Sequence, residues 1–248
     1  MEKLHPKAVI FDLGSTLIEY ESIPWDELGE ECLIAARGFL AGEGFKVPAE
    51  RDFTSAYYVI RDRYREIAYR DLVEWNVPKA AGDLLNELGI EHDDGLLDRF
   101  FDAYYQPVSK QIFVFDDVKS TLDRARECFP VIGLVSNTIF PERAHLGELK
   151  RFGIREHFNF TIFSCTFGLR KPHPDIFRKA ANCAGYAPSE CVYIGDRYLE
   201  DVQGPQGIGM PAILKIRPGR EYPEDMPDSV RRIDALSEIF DHVEKSVD

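Results

Sequence analysis

Four polar positions far apart in the chain stand at the ends of apolar runs. Asp12 closes AVIFDL (8–13), Ser136 and Asn137 end PVIGLVSN (130–137), and Asp196 ends CVYIGD (191–196). Asp12 and Asp196 brought together could hold one Mg²⁺, a hard cation that takes oxygen ligands and keeps several waters. Asp201, five residues beyond Asp196, could complete or orient that shell. It could equally cap a helix starting at Val202. Lys171 lies in GLRKPHPDIF (168–177), followed by two prolines that restrict the chain around it. An ammonium fixed near carboxylates could hold a phosphoryl dianion. On a solvated loop it would be an ordinary surface lysine. The turn Gly14-Ser15-Thr16 could offer backbone N–H groups to an anion. Taken singly, Asp12, Ser136, Asn137 and Asp196 have the commoner role of starting a loop or capping a helix. Their shared placement after similar runs is what points to one site.

The elements that would position them follow from the same runs. Unbroken rather than alternating apolarity in AVIFDL, PVIGLVSN, NFTIFSC (159–165), CVYIGD and PAILKI (211–216) predicts strands buried on both faces, as in a parallel sheet. Helical patterns separate them at 116–129, 145–153 and 175–185, the last with Asp175 as its expected N-cap. Strand and helix in alternation predict an α/β core with a doubly wound parallel sheet. In such a sheet the carboxyl ends of the strands face the ligand crevice.

Residues 22–108 read differently. Four helical patterns (23–44, 53–72, 78–89 and 94–108) occur there with no buried strand. This predicts an all-helical subdomain inserted after the first strand, leaving 1–21 and 109–248 as the core, since insertion at a surface loop is tolerated. The segment 217–229, rich in proline and charge, reads as a surface loop.

Composition narrows the function. Hydrophobic residues are 44% of the 248, enough to bury a core of this size without disulfides or structural metal. The formal charge of -13 opposes binding to nucleic-acid backbones or anionic membranes. The basic stretch 51–70 is interleaved with acids and reads as the solvated face of a helix. No run is long enough to span a membrane, and the N-terminal apolar run is too short for a secretory signal. Five cysteines without paired spacing predict reduced, mostly packed thiols in a cytoplasmic protein. A Walker loop, a dinucleotide fingerprint and a G-x-S-x-G elbow are all missing, which argues against nucleotide cofactors and serine-hydrolase chemistry.

FDLGSTL (11–17), LVSNT (134–138), GLRKPHPDIF and YIGDRYLEDVQGPQGIGMPA (193–212) occur in order, and together they resemble the four motifs of the haloacid dehalogenase superfamily. The resemblance covers nearly the whole chain and implies a Rossmann-like core with a helical cap, one Mg²⁺ and phosphate-ester hydrolysis through an aspartyl-phosphate. It implies that Asp12 is the nucleophile. It further implies that Asp12, the Gly14 carbonyl and Asp196 hold the metal with Asp201 in support, and that Ser136 and Lys171 bind the phosphoryl group. Thr16 and Asn137 are neighbouring donors. The implied substrate is a small phosphorylated metabolite, its choice set by the cap with aromatics such as Trp25, Tyr57, Tyr58, Tyr64 and Trp75. The implied state is a monomer or homodimer.

One position departs from the pattern. Phosphatases of this superfamily usually carry an aspartate two residues after the nucleophile to protonate the leaving group, and here that residue is Gly14. Glu19, Tyr20 and Asp26 are the candidates to replace it. Alternatively the leaving group needs no proton, as in a 2-haloacid dehalogenase, or the protein is a binding or regulatory member with reduced turnover. Dehalogenases of this kind use no Mg²⁺ and typically carry Ser-Ser-Asn where this chain has Ile194-Gly195-Asp196, so the retained aspartates favour phosphoryl chemistry.

Overall fold

The computed structural model describes residues 2–245. The chain forms two compact units. One comprises the chain up to Glu19, Phe113–Asn137 and the chain from Glu142 onward; the other comprises Tyr20–Ile112 and Thr138–Pro141.

Among the described residues, the first unit contains eight strands: β1 (Ala8–Phe11), β2 (Ile18–Glu19), β3 (Phe113–Val114), β4 (Val131–Ser136), β5 (Phe160–Phe163), β6 (Cys191–Gly195), β7 (Ala212–Lys215) and β8 (Arg231–Ile233). Six form one sheet in the order β5-β4-β1-β6-β7-β8, every neighbour parallel. The chain winds outward from β1 through β4 to β5, then crosses back to β6 and winds the other way. β1 lies where the strand order reverses, so the C-terminal ends of β1, β4 and β6 border the crevice of a doubly wound sheet. Every residue of β1 and β6 is buried, which is what an unbroken apolar run requires. β8 has no such run: its arginines are partly exposed, and only Ile233 is buried. β2 and β3 make a separate two-residue antiparallel pair.

Helices cover the sheet. In Pro174–Ala184, Ile176, Phe177, Ala180, Ala181 and Ala184 recur at helical spacing and are buried. Its N-cap is His173, whose ring accepts a hydrogen bond from the Asp175 N–H. The expected cap, Asp175, lies in the first turn instead and pairs with Arg178. Pro174 is the reason: a proline suits the first helical position, which moves the cap back by two residues.

The second unit has four helices, Trp25–Gly42, Glu50–Asp71, Val77–Glu87 and Asp94–Gln111. Its limits are wider than 22–108. The last helix continues past Pro107 to Gln111, and Phe113 then pairs with Glu19 in the first unit. Thr138–Pro141 also belongs here: the Ile139 carbonyl accepts from the Val77 N–H at 2.9 Å, and the Phe140 ring lies against Tyr105 at 4.8 Å. Tyr57 and Trp75 are buried, with Tyr64 stacked on Trp75, whereas Trp25 is 41% exposed. Among the cysteines, Cys32 and Cys191 are buried, but Cys183 is exposed, because it occupies the outer face of the Pro174–Ala184 helix. Among the described residues, no helix is long and apolar enough to cross a membrane.

Candidate active site

Asp12 follows β1 directly, and its N–H donates to the Ile194 carbonyl at 2.8 Å, extending the β1–β6 ladder by one bond. Asp196 follows β6. These two strands are neighbours, so residues 184 positions apart are brought side by side by sheet pairing alone. Asp201 joins them from the π-helical segment Tyr198–Gln203. All three are buried, and each offers a carboxylate oxygen within 4.8 Å of the others.

Asp201 does not cap a helix from Val202. One of its oxygens instead accepts the N–H groups of Asp196 and Arg197, at 3.1 and 2.9 Å. The turn thus folds back on the strand end, and it can do so because residue 195 is glycine. A Cβ there would lie 2.4 Å from the Asp201 Cγ. No side chain can occupy that space without moving the carboxylate.

Lys171 is almost fully buried and reaches the same cluster. Its Nζ donates to Asp12 Oδ1 and Asp201 Oδ1, each at 2.6 Å, and to the Tyr193 hydroxyl at 2.9 Å. The surface-lysine reading of this residue is thereby set aside. Asn137 holds the lysine's backbone at both ends of its amide: Oδ1 accepts from the Lys171 N–H at 2.7 Å, and Nδ2 donates to the Lys171 carbonyl at 2.9 Å. The Asn137 amide is therefore committed to the lysine loop. Ser136, at the end of β4, is buried, and its hydroxyl makes one long contact of 3.4 Å to the Asn137 carbonyl.

The two oxygens of Asp12 are differently placed. Oδ1 accepts from Lys171, while Oδ2 accepts from the Thr16 hydroxyl at 3.2 Å. Burial pushes the Asp12 carboxyl up to about 6; the Lys171 ammonium opposes that shift and the Asp201 carboxylate adds to it. For Lys171, burial disfavours the ammonium, but Asp12 and Asp201 outweigh it and hold the group well above the ordinary lysine range. Gly14 lies in the turn after Asp12 and bridges to Ile18. The left-handed backbone of that turn falls on Ser15, at φ 58°. Glu19, a candidate replacement acid, is engaged in an ion pair with Arg217 at 3.1 Å.

Three residues at the cluster were not anticipated. Tyr193 sits inside β6, where it reads as packing. Its hydroxyl accepts from Lys171 and donates to the Val135 carbonyl at 2.9 Å, tying the lysine to β4. A tyrosine in a wholly buried strand needs such a partner, and that was the available signal. Arg220, from the 217–229 loop, donates to Asp196 Oδ2, and Tyr222 donates to the Asp196 carbonyl at 3.1 Å. The other oxygen, Asp196 Oδ1, is buried with no hydrogen-bond partner. A buried carboxylate oxygen without a donor is costly, and such an exception calls for an explanation.

A buried carboxylate cluster with an embedded lysine thus lies at the switch point of a doubly wound sheet, where such folds bind their ligands. The haloacid dehalogenase-like hydrolase family model matches residues 6–209, and the chain belongs to that family. A glyceraldehyde 3-phosphate phosphatase of Methanopyrus kandleri is 29% identical over 249 residues, covering 96% of this chain and 97% of the relative. A phosphoglycolate phosphatase of Xylella fastidiosa is 28% identical, covering 90% and 85%. A 2-haloacid dehalogenase structure from Pseudomonas syringae pv. Tomato superposes with a TM-score of 0.70 at 23% identity, covering 95% and 97%. That likeness describes the fold.

Proposed function

We propose that the chain is a Mg²⁺-dependent phosphatase of small phosphorylated metabolites that works through a phosphorylated Asp12. The observation that carries this reading is the orphaned Asp196 Oδ1, buried within a group of three carboxylates. The donor set is all oxygen, as a hard divalent cation prefers. Asp12 and Asp196 would hold the ion together with the Gly14 carbonyl, and Asp201 would orient the site, since its own oxygens are already bonded. When bound, the ion supplies positive charge against the phosphoryl oxygens.

The chain's own residues account for the rest. Asp12 attacks phosphorus in line; an Asp12–phosphorus bond forms as the bond to the leaving oxygen breaks. Lys171 is held on Asp12 by three acceptors and offsets the repulsion between two anions. Ser136 would exchange its long 3.4 Å bond to the Asn137 carbonyl for one to a phosphoryl oxygen, and Asn137 keeps Lys171 in place. Water then attacks phosphorus, freeing Asp12 and inorganic phosphate. No carboxyl group stands at position 14 to protonate the leaving group, so leaving groups of low basicity should react fastest. Two relatives are named for glyceraldehyde 3-phosphate and phosphoglycolate, which supports small phosphate monoesters as the substrate class.

The test is phosphate release from a panel of small phosphate esters, including those two, with Mg²⁺ and with EDTA. Release should require Mg²⁺ and should fall by about 10³-fold or more in Asp12→Asn. Undiminished release by that variant, or halide release from a 2-haloacid without metal, would refute the reading.

A further inference from the structure

We propose that Arg220 sets how tightly the carboxylate cluster takes a divalent cation: it occupies Asp196 in the metal-free chain and must withdraw for the cation to bind. This rests on the reading that the cluster holds Mg²⁺. Three observations point to it.

The first is the asymmetry of the cluster. Asp12 and Asp201 share Lys171 and have further donors in Thr16 and two backbone N–H groups. Asp196 has Arg220 on Oδ2 and nothing on Oδ1. Arg220 is thus the positive charge at the one carboxylate that the lysine does not reach.

The second is charge balance in a buried place. The Asp196 side chain is 1% exposed and that of Arg220 12%. Three carboxylates against Lys171 and Arg220 leave one net negative charge. A divalent ion added to that set leaves a net positive charge, whereas the ion in exchange for Arg220 leaves the cluster neutral. Burying uncompensated charge is expensive, so exchange is favoured over addition.

The third is that Arg220 has somewhere to go. It lines an open cavity of about 640 Å³ together with Arg197, Tyr198, Glu200, Glu221 and Tyr222. Three carboxylates on that wall, Glu200, Glu221 and Asp225, can receive a displaced guanidinium. The same loop is latched to the cluster by Tyr222, whose hydroxyl accepts from the Arg217 N–H at 3.0 Å and donates to the Asp196 carbonyl at 3.1 Å. Among the described residues, withdrawal of Arg220 removes one of the two ties between residues 217–222 and the cluster and leaves only Tyr222, so this segment is held less firmly.

The experiment uses the full chain stripped with EDTA. Mn²⁺ affinity is measured by electron paramagnetic resonance, and Mg²⁺ affinity by calorimetry, for wild type, Arg220→Met and Arg220→Lys. Arg220→Met should bind both ions about tenfold more tightly, within the ordinary range of coupling between two linked ligands. Arg220→Lys, which keeps the charge, should stay close to wild type. Equal or weaker binding by Arg220→Met overturns the proposal and makes Arg220 a partner of the ion rather than its competitor. Amide exchange in wild type needs no variant: Mg²⁺ should speed exchange across 217–222, and unchanged or slower exchange also overturns the proposal. If no form of the protein binds Mn²⁺, the metal reading itself falls and this inference falls with it, an outcome distinct from equal binding by all three.

Discussion

The two corners of the carboxylate cluster are built on opposite terms. At the Lys171 corner every polar atom described has a partner: Asp12, Asp201, Tyr193 and Asn137 all converge on one lysine, and the contacts are short. At the Asp196 corner one oxygen meets a loop arginine and the other meets nothing. The first corner is finished by the fold. The second is left incomplete by the fold. A buried polar network stabilises when complete and costs free energy where incomplete. On the proposed function, the difference separates residues that hold the site together from residues that would take up the cation.

That division is most open to attack at Lys171. Replacing it by Met leaves Asp12 and Asp201 facing each other in a buried place. Removing one partner of a buried ion pair costs about 3–5 kcal/mol. Urea unfolding of Lys171→Met should show a loss of that size along with lost activity, and an unchanged midpoint would mean that the lysine is not holding the corner together.

Gly195→Ala strikes the hinge between the corners. Its Cβ would intrude on the Asp201 carboxylate, and overpacking of this kind costs about 1–3 kcal/mol. The loss should appear in thermal melts together with weaker Mg²⁺ binding. A variant that binds Mg²⁺ normally would show that Asp201 need not sit where it does.

Asp196→Asn should separate stability from function most sharply. It removes one of three buried carboxylates yet leaves Arg220 an acceptor oxygen, so relief of carboxylate repulsion offsets the lost ion pair and the metal-free protein should change by only about 1 kcal/mol. Yet Mg²⁺ should no longer raise its melting temperature. A large loss of stability without metal would erase the distinction between the corners.

The smallest expected effect is a titration. In the metal-free protein the Asp12 carboxyl, raised by burial, should titrate near pH 6 when followed by carbon NMR. Mg²⁺ favours the carboxylate, so adding it should move the midpoint down. An Asp12 midpoint in the ordinary range without metal would mean that water reaches it more freely than its 6% exposure implies.

How much of this was readable beforehand follows the same division. The runs ending in Asp12, Ser136 and Asp196 announce a parallel sheet because strands buried on both faces cannot alternate, and strand ends then meet at one edge. The family motifs extend that reading to Lys171 and Asp201. Tyr193 was hidden because an aromatic residue in an apolar run reads as packing, and its use depends on Val135 lying across β1 on β4. Arg220 was hidden because a loop rich in proline and charge reads as solvated surface, and nothing local says that it folds back 24 residues onto Asp196. β8 was missed because three residues with one buried side chain carry no periodic signal. The helical unit outran its expected limit because its last helix runs on to Gln111, past the end of the apolar pattern at Val108.

The central claim is that Asp12 is phosphorylated during turnover. The most direct measurement mixes the protein rapidly with Mg²⁺ and an ester that it hydrolyses, quenches in acid, and examines the peptide spanning residues 8–20 by mass spectrometry. The account predicts a phosphoryl adduct on Asp12 that appears before phosphate release reaches steady state and is missing from Asp12→Asn. Steady turnover with no adduct on that peptide, or an adduct on any other residue, would contradict it.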